Sequence, residues 1–124
     1  MIRFTIPGRC IPAPRITYHG KRAPRAMQYM KYREEVAWVA KAAGIRVSDK
    51  PLKIGIKIYL AKKRGRVPDI DNLTKTILDA MNGVGWRDDS QVMEINAKKI
   101  YTSSVKNEKT IVEVEEIEGC KDSA

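Results

Sequence analysis

Residues 68–92 read PDIDNLTKTILDAMNGVGWRDDSQV, and this stretch decides both the fold and the chemistry. Its middle, residues 71–82, contains neither Pro nor Gly and places Leu73, Ile77, Ala80 and Met81 within about a quarter of a helical wheel, which predicts a helix. Gly83 and Gly85 end it. Away from that apolar face, Asp71, Lys75 and Asp79 fall within about 80° of one another and form a polar stripe. Upstream, Pro68 fixes its own φ and biases Val67 toward an extended conformation. An extended entry puts Asp69 and Asp71 on one side, about 7 Å apart. Carboxylates that close repel unless a cation lies between them or one takes up a proton.

A second acidic pair, Asp88 and Asp89, follows the glycines, and a short return is expected to bring it alongside the first. Three or four carboxylates would then converge near Lys75. Mg²⁺ takes a few carboxylate oxygens together with waters and substrate phosphate oxygens, and it can activate water against a phosphodiester. Structural readings stand beside each feature. Asp69 or Asp71 suits a helix N-cap, Asp88 and Asp89 suit a turn, and Lys75 suits an i+4 partner for Asp71. Chance accounts for any one of these more easily than for all of them within residues 69–89.

On both sides of this stretch the periodicity changes to that of strands. Leu52, Ile54, Ile56, Ile58 and Leu60 alternate with Lys53, Gly55, Lys57 and Tyr59, the clearest strand in the chain. Ile2, Phe4 and Ile6 give a shorter one, and Val92–Tyr101 and Thr110–Ile117 two more, joined by a polar turn at residues 103–108. Tyr29, Tyr32, Val36, Val39, Ala40 and Ala43 recur at helical spacing between Met27 and the Gly44 stop. The expected fold is α+β: a single domain over residues 1–124, ordered β-α-β-α-β-β, with two helices on a four-stranded mixed sheet and a flexible tail at 118–124.

The 124 residues suit one domain, and 43% apolar residues give it a core, which argues against disorder and fibrous structure. No window approaches the roughly 18 apolar residues of a membrane helix. The start does not read as a signal peptide, so the cytoplasm is the default compartment. Cys10 and Cys120 make no disulfide framework and, without Cys or His neighbours, no zinc site.

Charge is uneven. Residues 1–67 carry 17 basic and 3 acidic side chains, +14, and residues 68–124 carry 7 and 12, −5, which together give the net +9. The basic half points to a polyanion. Its cations concentrate in two loops, with Arg9, Arg15, Lys21, Arg22 and Arg25 in one and Lys62, Lys63, Arg64 and Arg66 in the other. These are the candidate contacts to that polyanion. His19, the sole histidine, reads as a surface residue, Trp86 as packing beneath the acidic pair, and Glu113, Glu115, Glu116 and Glu118 as a solvated strand face and its exit. Trp38 lies off the main apolar stripe of the first helix.

The run Pro68, Asp69, Ile70, Asp71, Asn72, Leu73, Thr74, Lys75, then Asp79 to Gly83, then Asp88 to Val92, resembles the signature of the RusA family of Holliday junction resolvases. The resemblance is specific over residues 67–92 and looser elsewhere. It implies an endonuclease that uses one or two Mg²⁺ ions per site and acts as a homodimer on four-way DNA junctions, cutting two strands symmetrically. It places the essential acidic residues on Asp69, Asp71 and Asp89 and an essential lysine on Lys75, with Asn72, Asp79 and Asp88 in support. Two other readings compete. One is a non-catalytic nucleic-acid-binding module whose carboxylates brace the helix, and the other is a nuclease acting on other branched DNA.

Overall fold

In the computed structural model, which describes residues 1–14, 24–62 and 67–118, the elements follow the expected order. They are β1 (Ile2–Pro7), α1 (Pro24–Ala42), β2 (Leu52–Ala61), α2 (Ile70–Met81), β3 (Val92–Thr102) and β4 (Lys109–Glu116), with single 3₁₀ turns at Asp89–Gln91 and Val105–Asn107. The first helix starts three residues before Met27 because proline fits a helix's first turn, where its missing N–H has no partner to lose.

The sheet order is β1-β4-β2-β3. β4 runs antiparallel to both β1 and β2, whereas β2 and β3 are parallel, so the sheet is mixed. A parallel pair needs a long crossover, and α2 supplies it. The β2 residues Leu52, Ile54, Ile56, Ile58 and Leu60 are all fully buried, and burial of each such side chain contributes about 1.5–3 kcal/mol. Tyr32, Val36 and Ala40 of α1 and Leu73, Ile77 and Met81 of α2 complete this core. The other sheet face is open. There Lys53, Lys57 and Lys98 lie around Gly55 with Glu113 and Glu115, both half-buried.

Cys10 is fully buried, and burial pushes its thiol up to about 11, which makes it a packing residue. Trp38 stands 74% exposed on α1. Among the described residues, no helix is long and apolar enough to cross a membrane.

Candidate active site

Asp69 occupies the N-cap of α2 with extended backbone, φ −70° and ψ 145°, but its side chain makes no capping hydrogen bond. Ile70 is already helical, so the expectation that Asp69 and Asp71 share one side of an extended segment is corrected. Within or beside a helix, residues two apart point about 200° from one another. The Asp71 carboxylate accepts from its neighbour's backbone, Asn72 N–H, at 2.9 Å. The Asn72 carbonyl accepts from Ala13 N–H and from the Thr76 hydroxyl, which also donates to Ile11, and so ties the start of the first basic loop to α2.

Along α2 the polar stripe faces a groove of about 440 Å³ against the edge strand β3. Asp71, Thr74, Lys75 and Asp79 line it from the helix, Ile95 and Ala97 from β3, and Asp89 from the 3₁₀ turn. Asp89, from a separate element, thus shares one surface with Asp71 and Lys75 of α2; Asp69 does not line it. The carboxylates are spread out, since Asp71 and Asp79 alone are separated by about 12 Å of helix axis. Among the described residues, no three acidic, His or Cys side chains are close enough to enclose a metal. The expected convergence is therefore a shared groove rather than a preformed cage. The donor set is carboxylate oxygen, the kind a hard cation takes, and Mg²⁺ commonly draws its remaining ligands from water and substrate phosphate. On that chemistry the residues fit the ion.

Lys75 pairs with Asp79 at 3.0 Å, not with Asp71, so its i+4 partner lies in the C-terminal direction. Asp79 also accepts from the Tyr29 hydroxyl of α1 at 2.8 Å, and the Arg33 guanidinium donates to its backbone carbonyl. Burial works to raise the Asp79 carboxyl, but the hydrogen bonds from Tyr29 and Lys75 and the charges of Lys75 and Arg33 outweigh it and hold the group below its ordinary value. Burial, with the same bond to Asp79, pushes the Tyr29 phenol up to about 12. The sequence places Tyr29 only on the apolar face of the first helix and gives Arg33 no role, so neither is legible as a partner of the site. Both occupy helical positions on α1, but nothing local says that α1 crosses α2 at Asp79.

The second acidic pair divides its work. Asp88 caps the 3₁₀ turn, accepting from Ser90 N–H, while the Gln91 side chain reaches back to the Asp88 N–H in a capping box. Hydrogen bonds from Ser90, its side chain first and then its N–H, hold the Asp88 carboxyl below its ordinary value. Asp89 instead faces the groove, and Trp86, fully buried, donates its indole N–H to it at 2.7 Å. The packing role read for Trp86 therefore includes a bond to the site.

Of the candidate DNA contacts, Arg9 is taken up elsewhere. Its guanidinium pairs at 2.6 Å with the buried Glu108, which also accepts from Ala61 N–H, and only 14% of its side chain is exposed. A buried carboxylate needs a charged partner, and nothing in the polar turn signalled that Glu108 folds inward. Arg25 is exposed in the first turn of α1, and Lys62 is exposed with its ammonium 4.8 Å from the Tyr101 ring centre. Arg15, Lys21, Arg22, Lys63, Arg64 and Arg66 lie outside the described residues, as does His19.

The family model described as endodeoxyribonuclease RusA matches residues 7–115. The chain belongs to the RusA endodeoxyribonuclease family. A crossover junction endodeoxyribonuclease RusA of Escherichia coli strain K12 is 36% identical over 86 residues, 67% of this chain and 70% of that protein. The protein of the same name from Enterobacteria phage 82 is 35% identical over the same shares. An uncharacterized protein of Bacillus subtilis strain 168, YqaN, is 40% identical over 47 residues, 38% of this chain and 33% of that one.

Proposed function

We propose that this RusA-family chain is a Mg²⁺-dependent endodeoxyribonuclease that resolves four-way (Holliday) DNA junctions in recombination and repair. The observation that carries the reading is the shared groove, which Asp71 and Lys75 of α2 line together with Asp89 of the following 3₁₀ turn. Relatives named for crossover junction cleavage support the substrate class.

Asp71 and Asp89, with Asp69 at the entry of α2, are the residues that would hold one or two Mg²⁺ ions. The bound ion supplies Lewis-acid stabilisation of a phosphodiester and activation of water. Lys75, aimed by Asp79, offsets phosphate charge at the groove. Asn72 and Asp79 brace the α2 side, and Asp88 shapes the turn that carries Asp89. Arg25, Lys62 and the loop cations Arg15, Lys21, Arg22, Lys63, Arg64 and Arg66 hold the junction arms through phosphates, contacts that position without specifying sequence. Binding then weakens with salt, by about 0.9 log units per tenfold salt for each phosphate contacted. Two symmetric cuts suit a two-fold homodimer with one site per subunit.

The test is Asp71→Asn on a synthetic four-way junction in Mg²⁺, beside flap, fork and plain duplex. The variant is expected to bind the junction and to cut it at least about 100-fold more slowly, more than loss of an outer partner of a ligand typically costs. Full cutting by the variant sinks the site. Absence of any Mg²⁺-dependent cutting by the wild type favours a non-catalytic binding module, and preferential cutting of flaps or forks reassigns the substrate.

A further inference from the structure

We infer that Trp86 is the positioning residue for Asp89, its indole N–H holding one carboxylate oxygen so that the other is presented to a divalent cation. The inference rests on the proposal that Asp89 holds Mg²⁺.

The indole is fully buried and its Nε1–H donates to Asp89 Oδ1 at 2.7 Å. A tryptophan N–H can only donate, and a buried donor needs an acceptor. A backbone carbonyl would serve packing equally well; here the acceptor is a charged side chain on the groove. The backbone that carries the indole is itself well anchored. Gly83 N–H donates to the Trp86 carbonyl at 2.7 Å from a φ of +84°, a conformation that residues with side chains rarely adopt. Single bridges join Trp86 to Asn82 at the end of α2 and to Ser48 before β2.

Asp89 is constrained from its other side as well. The capping box of Asp88 and Gln91 encloses it, and the Gln91 amide donates onward to the Ser48 and Lys50 carbonyls at 2.7 and 3.1 Å. The carboxylate thus sits between two rigid supports, one of which bonds it directly. A donor to one oxygen orients the group without occupying both oxygens. Partners of this kind are typically worth 10- to 100-fold in metal affinity or activity.

The experiment compares wild type with Trp86→Phe, which keeps an aromatic ring in the core and removes the N–H. The variant is expected to bind the junction as wild type does, to need about 10- to 100-fold more Mg²⁺ for half-maximal cleavage, and to recover rate when Mg²⁺ is raised. A purely structural role would instead lower the melting temperature and junction binding, with no rescue by metal. A second measurement leaves Trp86 intact. In a Trp38→Phe protein the only indole N–H resonance belongs to Trp86, and it is expected to move on Mg²⁺ titration and to stay still once Asp89→Asn is added.

An unchanged Mg²⁺ requirement in Trp86→Phe, or an indole resonance blind to Mg²⁺, overturns the inference; the resonance decides alone if Trp86→Phe does not fold. Wild-type protein with no Mg²⁺-dependent cleavage overturns the nuclease reading itself. Wild-type cleavage with an unaltered Trp86→Phe overturns only the positioning role.

Discussion

The two acidic pairs, Asp69 with Asp71 and Asp88 with Asp89, look alike in sequence and are built differently. At the second pair the fold uses one carboxylate and steers the other. Asp88 closes a capping box, and Asp89 receives the Trp86 indole. At the first pair the fold asks for little. Asp69 makes no capping bond at a position where Asp usually makes one, and Asp71 bonds only its neighbour's N–H among the contacts seen. Beyond the favourable helix dipole that Asp71 meets in the first turn of α2, neither carboxylate makes a bond to another side chain among the described residues. The comparison separates residues that shape the site from residues left available to a ligand.

The sharpest way to break this comparison is to neutralise the available residues. Asp89→Asn and Asp69→Asn are expected to lower Mg²⁺-dependent cleavage by at least about 100-fold, more than an outer partner costs, with junction affinity kept in a gel-shift assay. Asp69→Asn should also leave the melting temperature unchanged, because no capping bond is lost. A lowered melting temperature with normal cleavage would make Asp69 a structural residue.

A smaller effect is expected at the residue the fold uses. Asp88→Ala removes the cap of the turn that carries Asp89, so the melting temperature falls measurably and cleavage drops by about tenfold, the lower end of the range for outer partners. Cleavage as poor as that of Asp89→Asn would move Asp88 into the reacting set.

The smallest effect concerns Asp79, whose carboxyl is held below its ordinary value of 3.8. A group depressed in the folded state stabilises the fold above its unfolded value and loses that contribution as pH falls through its folded value. The melting-temperature advantage of wild type over Asp79→Asn should therefore be constant above about pH 5 and shrink only below 3.8. An advantage that vanishes well above that range would contradict the Tyr29–Asp79–Lys75 network.

Much of this was legible in the sequence because strand and helix periods are local. Alternation at Leu52 to Leu60 and the apolar face of Leu73, Ile77, Ala80 and Met81 describe what each segment must bury, and the segments bury those residues. The polar stripe of Asp71, Lys75 and Asp79 was legible for the same reason. Side chains whose partner is far along the chain were not legible there. Arg9 looked like a DNA contact because Glu108 is 99 residues away and reads as part of a polar turn. The Asp69–Asp71 geometry failed more locally, since the helix starts at Ile70 rather than one residue later.

By itself, then, the sequence determined the elements, their order, the basic and acidic halves, and the face of α2 that carries charge. Only the tertiary structure decided that β3 pairs parallel to β2, which lays the α2 crossover along an edge strand and makes a groove between them. The same packing brought Asp89 to that groove above the buried Trp86, set Tyr29 on Asp79, and withdrew Arg9 from the surface. The physical reason is that backbone period and side-chain polarity act within a few residues, whereas these contacts form between elements whose relative placement is fixed by burying one shared core.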